Sequence, residues 1–287
     1  MEFGIFTTTT ETTLQPVELA VWAEEHHFDS LFLGEHSHIP VSRESPFPLG
    51  GDLPEYYSHF FDPFIGLAAA ASVTSTLKLG TGVVLIPEHN AIHLAKQVAC
   101  LDQVSGGRLL LGIGSGWNAE EMANHGVAFD DRWKITREGV LAMREIWTHD
   151  EAEFHGDFID FDPIWCYPKP VQRGGPPILL GAGSRWAPKR IAEYCDGWIP
   201  VDGWGDLGAG LEAIRIECEK IGRPFSDIEH GVSASYELST PDVGAERIAE
   251  LIKMGFTRIL LNLDPGASRD EQIKSLEGLE AIVKEIR

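Results

Sequence analysis

Basic side chains, cysteines and long apolar runs are all scarce in this sequence. Only 23 Lys and Arg stand against 44 Asp and Glu, which gives a formal net charge of −21. Such a charge repels the phosphates of nucleic acids and the headgroups of anionic lipids. We therefore expect the protein to bind neither nucleic acid nor a membrane surface.

The sequence contains few of the features that mark secreted, metal-bound or membrane proteins. Its four cysteines form no C-x-x-C pair, so neither a zinc site nor a dense disulfide framework is expected. It has no run of 18 apolar residues, and residues 1–6 lack the basic and apolar regions of a signal peptide. Together these absences predict a cytoplasmic protein.

What is present is the composition of a globular enzyme, with 43% hydrophobic and 23% charged residues. Short apolar runs alternate with longer segments of helical period, eight pairs in all, which is typical of βα units. The runs are almost wholly apolar, as parallel strands buried on both faces are. The pattern predicts an α/β fold: a single (β/α)8 TIM barrel domain over residues 1–287.

The predicted elements cover most of the chain. The strands are predicted at residues 3–6, 30–33, 79–85, 108–113, 177–180, 197–201, 231–236 and 258–263. The helices are predicted at 14–27, 63–71, 91–105, around 140–147, 185–194, 206–221, 241–253 and 270–286.

Two long insertions interrupt this rhythm, residues 34–61 after the second strand and residues 150–175 before the fifth. Loops of this length are usually functional, and the loop after a barrel strand opens on the face where active sites lie. We expect both insertions to line a pocket for an apolar or planar small molecule, because they hold aromatic side chains: Phe47, Tyr56, Tyr57, Phe60, Phe61 and Trp165.

The ends of the predicted strands carry the residues best suited to chemistry. The second strand ends in Glu35 and His36, and the fourth and fifth end in the glycine-rich runs 112–116 and 181–184. Backbone N–H groups of such runs, beside a helix N-terminus, can bind an anion. On one face of a barrel, two such runs indicate a ligand site.

Five stretches of the sequence form an ordered set of motifs: LGTGV at 79–83, AKQVACLDQVSGGRLLLGIGSGW at 95–117, PKPVQ at 168–172, PPILLG at 176–181 and AEYCDGW at 192–198. In sequence and in order they closely resemble the luciferase-like monooxygenase family (the bacterial luciferase superfamily), and among its members the branch that uses the deazaflavin coenzyme F420. The resemblance spans almost the whole chain.

The resemblance implies a particular reaction and place for the cofactor. An F420-dependent oxidoreductase of this family transfers a hydride between the deazaflavin and a small organic substrate, and we expect it to act as a reductase. The ring would lie in the barrel mouth against a non-proline cis peptide in the third strand. In this sequence that bond joins Gly82 to Val83.

Glu35 and His36 match the acidic–histidine pair that contacts the ring in the F420 branch, and both are predicted to be catalytic. Hydride transfer leaves a proton to be moved, and a histidine, with an ordinary pKa near 6.5, can give or take one at neutral pH. An alternative role for Glu35 is to orient His36.

The glycine-rich runs match the loops that line the rest of the cofactor. Ser184 and Arg185 would hold its phosphate at the start of the fifth helix, followed by Lys189 and Arg190. Arg132 and Trp133 are weaker candidates for further contacts with the cofactor tail, and Lys189 is expected to face solvent. The remaining residues implied to bind the cofactor are Gly114, Ser115, Gly116, Gly181, Ala182 and Gly183.

The sequence departs from some family members at one position. Certain F420-dependent dehydrogenases have a catalytic glutamate where this sequence has Trp117, so a sugar-phosphate dehydrogenase reaction is in doubt. Trp117 is expected either to wall the substrate pocket or simply to pack. Glu120 and Glu121 lie nearby, but on a new helical turn we expect them to face solvent.

One alternative keeps the fold but changes the cofactor. An FMN-dependent two-component monooxygenase would bind reduced FMN, use oxygen and depend on a separate reductase as partner. The shared ring, ribityl chain and phosphate do not separate FMN from F420 by sequence. In either case we expect a homodimer, as is common in the family.

Two further alternatives give up redox catalysis. His36 and His38 form an H-x-H pair like that of metal-dependent barrel hydrolases, but the later strand ends offer no histidine to complete such a site, so we expect no metal. A protein that binds flavin without turnover is the other alternative, which only an activity assay separates.

Overall fold

Eight parallel strands close into a barrel in the computed structural model, which describes residues 1–234 and 241–287. The strands of the described residues are β1 (Glu2–Thr7), β2 (Ser30–Leu33), β3 (Lys78–Thr81), β4 (Val84–Leu85), β5 (Leu109–Gly114), β6 (Ala152–His155), β7 (Asp160–Ile164), β8 (Ile178–Leu180), β9 (Gly197–Trp198), β10 (Glu229–Ser233) and β11 (Arg258–Asn262). The barrel order is β1, β2, β3, β5, β8, β9, β10, β11, and β11 pairs with β1 to close the ring.

Helices surround this barrel. In the described part of the chain they are α1 (Pro16–Glu25), α2 (Pro63–Val73), α3 (Ala91–Ser105), α4 (Ala119–Asn124), α5 (Arg132–Thr148), α6 (Ala187–Tyr194), α7 (Leu207–Ile221), α8 (Pro241–Met254) and α9 (Arg269–Ile286). Asp62 begins α2 by accepting a hydrogen bond from Ile65 N at 2.9 Å, as expected of an N-cap before a first-turn proline. None of the helices described is long and apolar enough to cross a membrane.

The predicted α/β barrel is confirmed, and α3 has the bounds that its periodicity predicted. The third predicted strand is interrupted: β3 ends at Thr81 and β4 resumes at Val84. The prediction for residues 197–201 was too long, because β9 ends at Trp198 and only Val201 adds an isolated bridge. The predicted end of the seventh barrel strand, Tyr236, lies outside the described residues.

The core forms where strands and helices meet. Every residue of β2, β5, β8 and β11 is buried, which agrees with parallel strands covered on both faces. From the helix side, α5 contributes the stripe predicted from its period, since Val140, Met143 and Trp147 are all buried.

The insertion at residues 150–175 lies along the outside of the barrel. Its predicted hairpin is confirmed as the antiparallel pair β6 and β7. Glu138 of α5 accepts hydrogen bonds from Phe158 N at 2.8 Å and Ile159 N at 2.9 Å. Farther along, Gln172 donates to the buried Asp102 of α3. These polar contacts tie the insertion to the outer helices, and its place in the pocket stays a prediction.

A buried arginine links four strands at the amino-terminal end of the barrel. The Arg258 guanidinium is 2% exposed and donates to Glu229 Oε1 at 2.6 Å and to Ser30 Oγ at 3.1 Å. It also pairs with Glu2. These residues lie at the starts of β1, β2, β10 and β11. The Arg258 side chain therefore connects the first two barrel strands to the last two, where β1 pairs with β11.

Replacing Arg258 with methionine should destabilise the fold. The change keeps much of the apolar length but removes the Arg258 partner of Glu229 and of the Ser30 hydroxyl, while Glu2 keeps its pair with Lys78. Because both carboxylates are partly exposed, we expect a loss of about 2 kcal/mol, less than for a fully buried pair. Urea unfolding measures it. The matched control is Arg269→Met, which removes an exposed pair with Glu18 and should cost under about 0.5 kcal/mol. Equal losses in both variants would contradict the structural role of Arg258.

Candidate active site at the carboxyl end of the barrel

The residues predicted to bind a cofactor all follow the carboxyl ends of barrel strands. Because the strands are parallel, these ends open on one rim. The structure therefore brings the predicted site residues to the same face: Glu35 and His36 after β2, Gly82 and Val83 between β3 and β4, Gly114, Ser115 and Gly116 at the end of β5, and Gly181, Ala182, Gly183, Ser184 and Arg185 after β8.

Val83 is the point where three of these strand ends meet. The Gly82–Val83 peptide is cis, as the family resemblance implied. A Cβ added to Gly181 would lie 2.5 Å from Val83 Cγ1, and one added to Gly114 would lie 2.7 Å from Val83 Cγ2. Glycine is therefore required at both positions so that the Val83 side chain can pack against the backbone there. This requirement holds whether or not these glycines also contact a ligand.

Glu35 is a buried residue that binds the backbone just after Val83. Its carboxylate accepts a hydrogen bond from Leu85 N at 2.7 Å and lies 3.0 Å from His89 Nε2. Burial lowers the pKa of His89, but its hydrogen bond to Glu35 and the charge of that carboxylate outweigh burial and raise the pKa above its ordinary value. The alternative that Glu35 orients His36 is wrong, because its carboxylate is bound to these other partners.

His36 is held by two different side chains. Its Nδ1 lies 2.7 Å from Glu121 Oε2, and its Nε2 lies 3.3 Å from the indole nitrogen of Trp117. Since an indole N–H only donates, Nε2 is the acceptor and the proton of the neutral ring sits on Nδ1, donated to Glu121. The imidazole is 6% exposed and thus presents a basic nitrogen in a nearly dry setting.

Glu121 is the functional residue that the sequence reasoning missed. It was expected to face solvent, yet its side chain is fully buried, and its Oε1 also accepts a hydrogen bond from Ser37 N at 3.2 Å. The short helix α4 points it inward, and Asn118 begins that helix by accepting from the backbone N–H groups of Glu120 and Glu121. The spacing of Asn118 and Glu121 resembles a capping box, a signal that could have revealed this helix.

Glu120 does not face open solvent either. Its carboxylate accepts hydrogen bonds from Glu44 N at 2.6 Å and Ser45 N at 2.9 Å, and also binds the Ser45 hydroxyl. The Ser45 side chain, together with the backbone N–H groups, lowers the pKa of Glu120 to about 2. This carboxylate therefore fastens the insertion at residues 34–61 to α4.

The first insertion forms an aromatic wall around His36. Tyr57 and Phe60 each have ring centroids 5.5 Å from the imidazole, and Phe47 lies 6.0 Å from Trp117 and 5.2 Å from Tyr57. Trp117 thus both walls this space and contacts His36. The other predicted wall residues differ: Tyr56 stacks on Tyr57, Phe61 is partly exposed, and Trp165 is exposed and bound to Glu151 in the other insertion.

A basic corner lies beside the loop after β8. Ser184 lies three residues before the first residue of α6, and its hydroxyl accepts a hydrogen bond from Arg190 at 3.3 Å. Arg190 also lies over the Trp133 ring, 3.8 Å from its centroid, and Arg185 stacks on Trp186. A cavity of about 250 Å³ opens here, lined by Trp133, Lys134, Arg137, Trp186, Lys189, Arg190, Glu193 and Tyr194.

The donor set of this corner fits a phosphate or carboxylate group. Within the described residues, the buried hydroxyl of Tyr194, which lines this cavity, has no hydrogen-bond partner. Buried donors without partners are rare in proteins and indicate a place where a ligand or solvent can satisfy them. Lys189, by contrast, pairs with Glu193 at 3.6 Å and is largely exposed, as expected.

His36 and His38 do not converge as a metal pair. His38 Nδ1 lies 2.9 Å from Ser37 Oγ, and its Nε2 lies 2.8 Å from the amide of Asn124. His36 instead faces Glu121 and Trp117. Across the residues that the structure describes, no group of three or more His, Cys, Asp and Glu side chains is arranged to hold a metal ion.

Comparison with known proteins agrees with this geometry. A family model described as luciferase-like monooxygenase matches residues 1–281. The chain belongs to this family. An F420-dependent secondary alcohol dehydrogenase, solved with an F420–acetone adduct, has the same fold with a TM-score of 0.80 and 17% identity, covering 100% of this chain and 99% of that one.

Relatives in sequence include both cofactor classes. An uncharacterized protein of Mycobacterium tuberculosis is 36% identical over 98% of each chain. An F420-dependent glucose-6-phosphate dehydrogenase of Amycolatopsis mediterranei is 27% identical over 94% of this chain and 76% of that one. An FMNH2-dependent dimethylsulfone monooxygenase of Pseudomonas putida is 35% identical, but over only 53% of this chain and 41% of that one.

The Val83 junction can be tested by compensation. Gly181→Ala should destabilise the protein by about 2 kcal/mol, because its new methyl group collides with Val83. Adding Val83→Ala removes that methyl contact, so the double variant should be at least about 1 kcal/mol more stable than the sum of the single losses. Gly208→Ala, in a roomier helical position, is the control and should cost nothing. Additive losses would refute the contact.

Proposed function

We propose that the protein is an F420-dependent oxidoreductase that transfers a hydride between the deazaflavin and a small organic substrate, acting as a reductase. The observation that carries the proposal is the buried pair of His36 and Glu121 at the barrel mouth, enclosed by aromatic rings. F420 supplies or accepts the hydride when bound. The protein must then handle the matching proton, and His36 is placed to do so.

The geometry suits His36 to act as an acid or a base. Its Nε2 faces Trp117, whose N–H makes only a long hydrogen bond at 3.3 Å that a stronger partner can displace. Glu121 on the opposite side of the ring stabilises the imidazolium that forms when Nε2 takes a proton. In the opposite direction, the same imidazolium donates that proton to the reduced substrate.

The basic corner supports F420 over FMN. The protein carries a net charge of −21, yet Lys134, Arg137 and Arg190 converge on one small cavity beside Ser184. Both cofactors have a phosphate, but F420 adds a glutamate tail, and more cations than one phosphate requires suit the more anionic molecule. The F420-dependent relative also matches 94% of this chain, against 53% for the FMN-dependent one.

FMN-dependent oxygenation is the second candidate. The relative from Pseudomonas putida favours it, since its matching segment is 35% identical to this chain. This function requires oxygen and a reductase partner to supply reduced FMN. We expect a homodimer with either cofactor.

The substrate that this site suits is an apolar or planar organic molecule. Phe47, Tyr57 and Trp117 enclose the space near His36 with aromatic faces. Trp117 fills the position where some F420-dependent dehydrogenases have a catalytic glutamate, so we propose that sugar phosphates are not substrates. Anaerobic reoxidation of reduced F420 by enones, quinones and nitroaromatics tests this class, with glucose 6-phosphate and oxidised F420 as the comparison.

Cofactor binding gives a direct test of the basic corner. Fluorescence titration should show tighter binding of F420 than of FMN. Arg190→Glu and Arg185→Glu should each weaken F420 binding about tenfold at low salt, because each replaces attraction to an anionic group with repulsion. Arg269→Glu, on the exposed start of α9, should change nothing. Much tighter FMN binding would refute the choice of cofactor, and an unchanged affinity in both corner variants would refute the site.

Kinetics can distinguish a catalytic role of His36 from a role in cofactor binding alone. In His36→Ala we expect turnover to fall by about 100-fold or more, the usual worth of general acid–base catalysis, while the cofactor Kd changes little. His149→Ala is the control, since that histidine is exposed and its ring contacts Glu145 and Thr148 of α5, away from the barrel mouth. Unchanged turnover in His36→Ala would remove His36 from the mechanism.

A further inference from the structure

The histidine of the proposed reaction is closed off from solvent in this structure. The His36 imidazole is 6% exposed, and the ring centroids of Tyr57, Phe60 and Trp117 lie 5.5 to 5.8 Å from it. A group that exchanges a proton with a substrate must come within hydrogen-bond reach of it. Part of the aromatic wall therefore has to move when a substrate enters.

The first insertion contains a segment with few contacts to the rest of the protein. All of residues 41–52, which we call the flap, are exposed except Ser45 and Phe47. Val41 is 94% exposed and Leu49 is 56% exposed. A segment with so little buried surface opens at a much lower free energy than the whole protein unfolds. The contacts of Ser45 and Phe47 therefore determine how firmly the flap is held.

One carboxylate holds the flap at Ser45. Glu120 of α4 accepts hydrogen bonds from the backbone N–H groups of Glu44 and Ser45, at 2.6 and 2.9 Å, and from the Ser45 hydroxyl. That hydroxyl in turn accepts a hydrogen bond from Ala119 N at 3.0 Å. Within the described part of the chain, every hydrogen bond from the flap to another segment ends at Ala119 or Glu120. Glu120 is thus the anchor of the flap.

The anchored flap holds one residue in an unfavourable backbone conformation. Arg43, just before the anchored residues, has a φ of +55°, in the left-handed region that residues with a side chain rarely adopt. Such a conformation persists only where neighbouring contacts enforce it, and here those contacts are the hydrogen bonds to Glu120. Near the other end of the flap, Gly50 and Gly51 have φ of +79° and +74°, which glycine adopts freely. Release from Glu120 therefore lets Arg43 relax while the glycines allow the chain to turn.

Phe47 connects the flap to the aromatic wall. Its ring centroid lies 5.2 Å from that of Tyr57 and 6.0 Å from that of Trp117. Tyr57 and Trp117 are themselves in ring contact with His36, so Phe47 adds a second layer of cover over the imidazole. Moving Phe47 away uncovers Trp117, whose long hydrogen bond to His36 Nε2 a substrate can then replace.

We propose that the flap opens to admit the substrate to His36, that Phe47 limits the size of the substrate that enters, and that Glu120 is the positioning residue that holds the flap closed. The inference deepens the proposed function, on which it rests for the nature of the substrate. An apolar or planar substrate takes the place of the Phe47 ring against Tyr57 and Trp117. Glu120 acts through the flap and not on the reacting atoms.

Limited proteolysis measures the opening of the flap without cofactor or substrate. Trypsin cleaves after Arg43, and the N–H of the next residue, Glu44, is bound to Glu120 while the flap is closed. Cleavage at this bond therefore follows the population of the open flap. In Glu120→Ala we expect the fragment of residues 1–43 to appear at least about tenfold faster, because hydrogen bonds to a charged group are lost. Glu120→Gln should give a smaller increase, since its amide oxygen still accepts from the backbone.

Two further variants separate the flap from the rest of the fold. Ser45→Ala weakens the anchor without changing a residue of α4, so it should also speed cleavage after Arg43. Glu212→Ala, at an exposed position of α7, should leave that cleavage unchanged. Cleavage after Lys253, at the exposed end of α8, should be equal in all variants and so report an intact fold. Unchanged cleavage after Arg43 in both Glu120→Ala and Ser45→Ala would overturn the anchor.

The role of Phe47 is tested by substrate size. Phe47→Ala removes the cover over Tyr57 and Trp117, so with reduced F420 the kcat/KM for a bulky quinone should rise at least about fivefold relative to that for benzoquinone. Glu120→Ala should change this ratio in the same direction, whereas a structural loss alone lowers both values together. Phe225→Ala, just before β10 at the amino-terminal end of the barrel, is the control and should leave the ratio unchanged.

The outcomes of the two experiments are distinguishable. An unchanged ratio in Phe47→Ala would overturn its role in selecting the substrate. If the unsubstituted protein reduced no quinone, the proposed function would fail, while the rates of tryptic cleavage would still decide whether Glu120 anchors the flap.

Discussion

The contact of Val83 with Gly114 and Gly181 determines how closely three strand ends approach at the barrel mouth. Because both glycines lack a side chain, the Val83 methyl groups occupy the space between β5 and β8. The backbone beyond Val83 then meets Glu35 through Leu85 N, and the short helix that follows brings Glu88 beneath the loop of Gly116. The acidic groups of the site are thus placed by a packing constraint that is itself wholly apolar.

The fold could be predicted from the sequence more fully than the site, and the reasons are physical. Strand and helix periodicity is a local property, so α3 and the buried stripe of α5 could be predicted from short windows of sequence. Glu121 could not, because it lies on one and a half turns of helix, too short for a period to show, and its partner His36 is 85 residues away. The glycines after β5 and β8 were predicted from their ligand-binding pattern, although packing against Val83 already requires two of them.

Acidic and basic side chains are concentrated in two separate regions of this protein, although its net charge is strongly negative. The chain carries an excess of acid, and its buried acids converge on one side of the mouth, where Glu35, Glu88 and Glu121 surround the base of the first insertion. The cations Lys134, Arg137 and Arg190 converge at a separate corner near α6. In the proposed function, the basic corner attracts the anionic tail of the cofactor and the acidic side of the mouth repels it, so the two charged regions together orient the cofactor.

Glu120 and Glu121 are adjacent in α4 yet serve different parts of the mouth. The first grips residues 44 and 45 of the insertion that carries the aromatic wall, and the second holds the imidazole of His36. Both contacts start from one helix of six residues. Substitutions that reshape the aromatic wall therefore also displace the side chain that holds His36, so the wall and the imidazole cannot change independently in this protein.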